Sequence, residues 1–149
     1  TGEKLLTIAK LTGLAISELA TLFENLSPDI VLTVADRFET MATAIAASYM
    51  NIPLAHTQGG EVTGSIDESV RHAITKLSHI HFTATEKSVE NIIRMGEDPK
   101  SIYNVGCPAM DVIRGLNLDI QKDILYTFSS KSKIRLSCQS ALFILFKEE

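Results

Sequence analysis

Four short strand-like runs, the β-branched 30–34 and then 54–57, 80–85 and 102–105, begin 22 to 26 residues apart with helix-like segments between them. Two parallel strands need a crossover of a dozen or more residues, usually a helix, so this spacing is the length of a βαβ unit. The expected fold class is therefore α/β, a parallel sheet with helices on both faces. The helical segments carry their own signals. Leu19, Leu22, Phe23 and Leu26 follow the i, i+3, i+4, i+7 rule, and Ser27-Pro28-Asp29 stops the segment. Residues 38–50 are alanine-rich and end before Pro53. Ser65 and Glu68 have capping-box spacing ahead of the stripe Val70, Ala73, Ile74 and Leu77. Thr85 is positioned to cap a helix bearing Val89, Ile92 and Ile93, and a further helix is expected over 108–116.

With 149 residues the chain reads as one domain, able to bury roughly 70% of its unfolded surface. Its 18 acidic against 14 basic residues give a net charge of −4, the wrong sign for a nucleic-acid surface. The longest apolar run, 41–50, is far short of the ~18 residues of a membrane span. Cys107 and Cys138 are too few and too distant for a disulfide or zinc framework, so a reducing cytoplasmic setting is expected. From Asn117 onward the pattern weakens. The apolar run 141–146 suits a buried strand with nothing after it to bury it, and the start lacks an initiator Met. Both ends read as those of a fragment.

Ligands of open parallel sheets collect beyond the carboxyl ends of the strands. The first strand delivers Asp36, Arg37 and Glu39 there. The second delivers His56, Gln58 and the loop Gly59-Gly60-Glu61, followed by Asp67, Glu68, Arg71 and His72; the third and fourth add Thr85, Glu86 and Cys107. Acidic and amide groups thus converge on one rim, as acid–base chemistry requires. Plainer readings exist for each. Asp36 also suits a helix cap, Gly59-Gly60 a tight turn, Glu68 a capping partner, and Asp67 with Arg71 a surface i, i+4 ion pair. His79 and His81, two apart, lack a third metal ligand, and Cys107 beside Pro108 reads as a small buried residue.

The strings Val34-Ala35-Asp36-Arg37-Phe38-Glu39 and His56-Thr57-Gln58-Gly59-Gly60-Glu61-Val62-Thr63-Gly64-Ser65-Ile66-Asp67-Glu68-Ser69-Val70-Arg71-His72-Ala73 resemble the hydrolysing UDP-N-acetylglucosamine 2-epimerases of sialic and legionaminic acid biosynthesis. Bacterial UDP-N,N′-diacetylbacillosamine 2-epimerases are included in the resemblance, which runs from about Leu11 to Thr127. It implies a Rossmann-like sheet, the partial N-terminal half of a two-domain GT-B fold. Residues 1–116 would be a partial N-terminal domain and 117–149 a degenerate or interdomain tail, with the nucleotide-binding second domain absent. It also implies catalytic roles for Asp36 and Asp67, and for Gln58, where many relatives carry Glu. Glutamine orients but does not exchange protons at neutral pH, which leaves Asp67 or Glu61 to titrate. Arg37, His56, Gly59, Gly60, Arg71 and His72 are the implied substrate-binding residues. The implied substrate is a UDP-amino sugar, with no metal or redox cofactor, no nucleic acid, no membrane, and a homo-oligomer in the full-length member. The alternative reading is an inactive remnant or binding module. A glycosyltransferase acceptor half fits the carboxylates less well.

Overall fold

The computed structural model describes residues 2–34, 36–107, 110–111 and 143–146. The elements run α1 (Gly2–Leu26), β1 (Ile30–Val34), α2 (Phe38–Tyr49), β2 (Leu54–Thr57), α3 (Ile66–Leu77), β3 (Ile80–Thr83), α4 (Glu86–Arg94), a 3-10 turn (Pro99–Ser101), β4 (Ile102–Asn104) and β5 (Phe143–Phe146). The sheet order is β4-β3-β2-β1-β5. Neighbours among β1 to β4 are parallel, and β5 runs antiparallel along the outer edge of β1. The expected parallel βαβ sheet is therefore present, with an antiparallel edge strand added. The terminal apolar run does find a partner, because the free edge of β1 offers it a ladder of backbone hydrogen bonds.

Strand alternation assigns the faces. Val31 pairs in register with Leu54, and both are buried in a cluster with Phe23 of α1, Ala44, Ala46 and Ala47 of α2, and Ile74 of α3. Thr33, His56 and His81 lie on that same face. The α4 residue Ile92 packs there too, since a Cβ at Gly59 would meet Thr75 of α3, His56 and Ile92 together. All four described helices thus cover one face of the sheet, in place of the expected helices on both faces. Right-handed crossovers that step in one direction along a sheet put every helix on the same side. The other face carries Leu32, Ala55 and Phe82, the last stacked on Tyr103 at 5.9 Å between ring centroids.

The segment Leu5–Leu26 of α1 spans 22 residues and contains an 18-residue stretch with a mean hydropathy of 1.5, long and apolar enough by those two measures to cross a membrane. A search for uninterrupted apolar runs passes over it, because Lys10, Glu18 and Glu24 break the run. Its Phe23 is buried and Leu19 packs against the same core, while Leu5, Leu11 and Leu14 are exposed. Two local expectations also change. Strand β3 stops at Thr83, which frees Thr85 to cap α4 by accepting from the Ser88 amide. Ser65 occupies the N-cap of α3 without a side-chain cap bond. The weakly patterned stretch after Asn117 lies outside the described residues apart from β5, as does the expected helix over 108–116 apart from Met110 and Asp111.

Candidate functional site

The parallel strands all end on one rim, and a half-buried carboxylate meets a buried guanidinium there. Asp36 follows β1 and Arg71 lies on α3, 35 residues later. Arg71 is 6% exposed. Its Nη2 forms an ion pair with the Asp36 carboxylate, while its Nη1 donates to the Glu61 carbonyl at 2.7 Å. A guanidinium presents its donors in a fixed fork, so one side chain here fixes both a carboxylate and a loop. The pair is joined from two elements rather than lying along one helix, which replaces the reading of Arg71 as a surface partner of Asp67. Asp67 is exposed on the first turn of α3 and has no described hydrogen bond or ion pair.

The loop 58–64 leaves β2 sharply. Gln58 has φ +60° and its amide donates to the Phe82 carbonyl at 2.8 Å, so the parallel ladder carries one residue past β2. Its side-chain amide lies 3.9 Å from the Cys107 sulfur. Cys107 is thus half-buried beside a site residue, not in the core. Gly60, at φ +79°, lies flush on α4: a Cβ there would fall 2.3 Å from the Ser88 carbonyl oxygen. Only glycine meets both demands. Glu61 is half-buried and, with Gly60, Val62, Thr85, Lys87, Ser88 and Asn91, lines a cavity of about 540 Å³.

Glu68 does reach back, but past Ser65. It accepts from the Thr63 amide at 2.7 Å and the Gly64 amide at 2.6 Å. These two bonds, the Gly64 one foremost, hold its carboxyl below the ordinary value, because amide donors favour the charged form. The expected capping box is therefore a loop clamp. The reason is local: the turn at Gly64, φ +71°, brings the preceding amides over the start of α3 in place of that of Ser65.

The implied substrate-binding residues divide. Gly59 and Gly60 are buried at the loop, and Arg71 is bound to Asp36. Arg37 is exposed and pairs with Glu39 at 3.5 Å. His72 is half-buried on α3. His56 is only 1% exposed, and its Nδ1 lies 3.3 Å from the Thr75 hydroxyl beneath Gly59. Its place opposite Thr33 on the helix-covered face puts it under the loop, where it supports the site and does not line it. Of the other histidines, His79 accepts from the Leu54 amide at 3.2 Å and His81 is buried near Glu97. Among the described residues no three His, Cys, Asp or Glu side chains gather as metal ligands. Sequence reasoning missed Asn91, whose side-chain amide donates to the Gly60 carbonyl at 2.8 Å. Nothing in its helical position marks it out.

The family model for UDP-N-acetylglucosamine 2-epimerase matches residues 2–146. A UDP-N,N′-diacetylbacillosamine 2-epimerase (hydrolyzing) of Legionella pneumophila is 50% identical over 107 residues, covering 72% of this chain and 28% of that protein. A GDP/UDP-N,N′-diacetylbacillosamine 2-epimerase (hydrolyzing) of Campylobacter jejuni is 38% identical over 120 residues, 80% of this chain and 31% of that protein. The crystal structure of UDP-GlcNAc 2-epimerase from Neisseria meningitidis bound to UDP-GlcNAc superposes with a TM-score of 0.69 at 26% identity, over 81% of this chain and 35% of that one. The chain thus spans about a third or less of the length of these relatives.

Proposed function

From the premise that this chain belongs to the UDP-N-acetylglucosamine 2-epimerase family, we propose that it supplies the first-domain half of the active site of a hydrolysing UDP-amino-sugar 2-epimerase. The observation that carries this reading is the Asp36–Arg71 pair at the strand-end rim, tied through the Glu61 carbonyl to the glycine loop. The two curated relatives described above, both with names that specify hydrolysis, support the hydrolysing branch and a diacetylated amino sugar. The protein of which this chain is part works on a cytoplasmic nucleotide sugar, as a homo-oligomer.

The proposed reaction removes the proton from C2 of the sugar and expels UDP from C1, leaving a glycal. Water then adds across the double bond, its hydroxyl to C1 and its proton to the opposite face of C2, giving the 2-epimeric free sugar. A carbon acid this weak needs a base held against the carbon and a second group to manage protons in elimination and hydration. Asp36, fixed by Arg71, is the first of these. Asp67 or Glu61 is the second: Asp67 has its carboxylate free at the rim, and Glu61 lies beside the cavity. Gln58 orients substrate through hydrogen bonds. The test is an assay of the whole protein with UDP-N-acetylglucosamine and UDP-N,N′-diacetylbacillosamine in D₂O. Release of UDP with a free 2-epimeric sugar carrying deuterium at C2 supports the reading. Interconversion of UDP-sugars without UDP release would replace it with a non-hydrolysing epimerase, and no turnover of either would remove it.

A further inference from the structure

The loop 58–64 is held by side chains of two helices. Arg71 and Glu68 bond to it from α3, and Asn91 supplies a side-chain hydrogen bond from α4, where Ser88 and Ile92 also pack against the glycines. Two of these bonds form a sequence in space with the Arg71–Asp36 pair. Asn91 Nδ2 donates to the Gly60 carbonyl at 2.8 Å; the next carbonyl, that of Glu61, accepts from Arg71 Nη1; and Arg71 Nη2 holds the Asp36 carboxylate. Gly60 lies close on α4, since even a Cβ there would fall 2.3 Å from the Ser88 carbonyl oxygen. The Asn91 bond opposes lifting of the loop away from the helix.

We propose that Asn91 is a positioning residue: its amide sets the Gly60–Glu61 carbonyls, and through Arg71 it sets the orientation of Asp36. This rests on the function proposed above for its kinetic consequence, though not for its structural one. Misplacing a reacting group by about 1 Å costs up to about a hundredfold in rate. Binding energy from the UDP moiety acts elsewhere on the substrate. Loss of the Asn91 donor is therefore expected to lower kcat and leave KM nearly unchanged.

Asn91→Asp keeps the shape but sets an acceptor against an acceptor; Asn91→Ala removes the group. Two measurements test the proposal on both variants. In the ¹⁵N-labelled 149-residue chain, a fixed guanidinium shows separate Nη signals for Arg71, and these are expected to average while the amide shifts of β1 and β2 stay in place. In the whole protein, kcat per folded molecule is expected to fall by about tenfold or more with KM within about threefold. Unchanged Arg71 signals with unchanged kcat in folded variants would overturn the proposal. So would amide shifts that move throughout the sheet in both variants, since Asn91 would then be a general fold residue. If the wild-type whole protein lacks 2-epimerase activity, the function proposed above falls, and the Arg71 signals still decide the positioning role.

Discussion

Asp36 and Arg71 share one environment, with side chains 14% and 7% exposed, and neither is expendable without leaving the other's charge poorly compensated. Asp36→Asn keeps an acceptor for the guanidinium and removes the proposed base. Turnover of the whole protein is expected to fall by about 10²–10⁴, the usual worth of a positioned acid or base, as steady-state kinetics would show. Near-normal turnover in a folded variant would exclude Asp36 from proton transfer. Asp67→Asn and Glu61→Gln, run side by side, identify the second proton-handling group, with the larger loss expected for Asp67. A different titration belongs to His81. Burial, more than any neighbouring charge, pushes its imidazole below the ordinary 6.5, although Glu97, 3.5 Å away, pulls the other way. The unfolded chain then takes up the proton first. Stability is full above pH 6.5 and falls as the pH drops toward the folded value. Urea unfolding at a series of pH values should show that slope in the wild type and a shallower one in His81→Leu.

At the scale of elements, the loop 58–64 depends on charge at one carboxylate. Because the Glu68 carboxyl is held low by the Gly64 and Thr63 amides, the clamp is complete above the ordinary 4.5 and is lost as pH falls through its lowered value. Exchange of the Thr63 and Gly64 amides, corrected for the intrinsic pH dependence, should accelerate over that acid range. In Glu68→Gln it should already be fast at neutral pH while the β2 amides stay protected. Equal protection in the variant would show that the loop is held by Arg71 and Asn91 alone. This clamp also marks where the sequence stops being legible. The runs at 30–34 and 54–57 coincide with β1 and β2 because a strand covered by helices is written in its own residues as β-branched or apolar groups. Thr85 is likewise readable as a cap, since the bond it makes spans three residues. Glu68 is visible as an acid near a helix start, but which amides it meets depends on the left-handed turn at Gly64. The Asp36–Arg71 bond, the Asn91–Gly60 bond and the antiparallel pairing of β5 join residues that only the folded sheet brings together. No local period encodes them.

For the whole molecule, the question is how much of a substrate site this chain holds by itself. It matches 28% of the length of the Legionella pneumophila relative and 31% of the Campylobacter jejuni one. What it offers a ligand is a rim: Asp36 with Arg71, the glycine loop and the adjoining cavity. In a reaction that expels UDP, the uridine and diphosphate supply binding energy remote from C2, and that energy holds the sugar against the base. A closed site also excludes water, which otherwise competes for protons and screens charge. The described rim has Arg71 already committed to Asp36, and its nearby Lys87 is bonded to Glu90 at 2.8 Å. A diphosphate would therefore meet, on the described rim, a buried cation that is already paired. The 149-residue chain alone is expected to bind UDP no better than about millimolar, roughly −4 kcal/mol, and to release no UDP from either candidate substrate. Calorimetric titration with UDP and a coupled assay for released UDP measure the two quantities. Micromolar binding or sustained release by the purified chain would mean that this half of the site carries the nucleotide as well as the base.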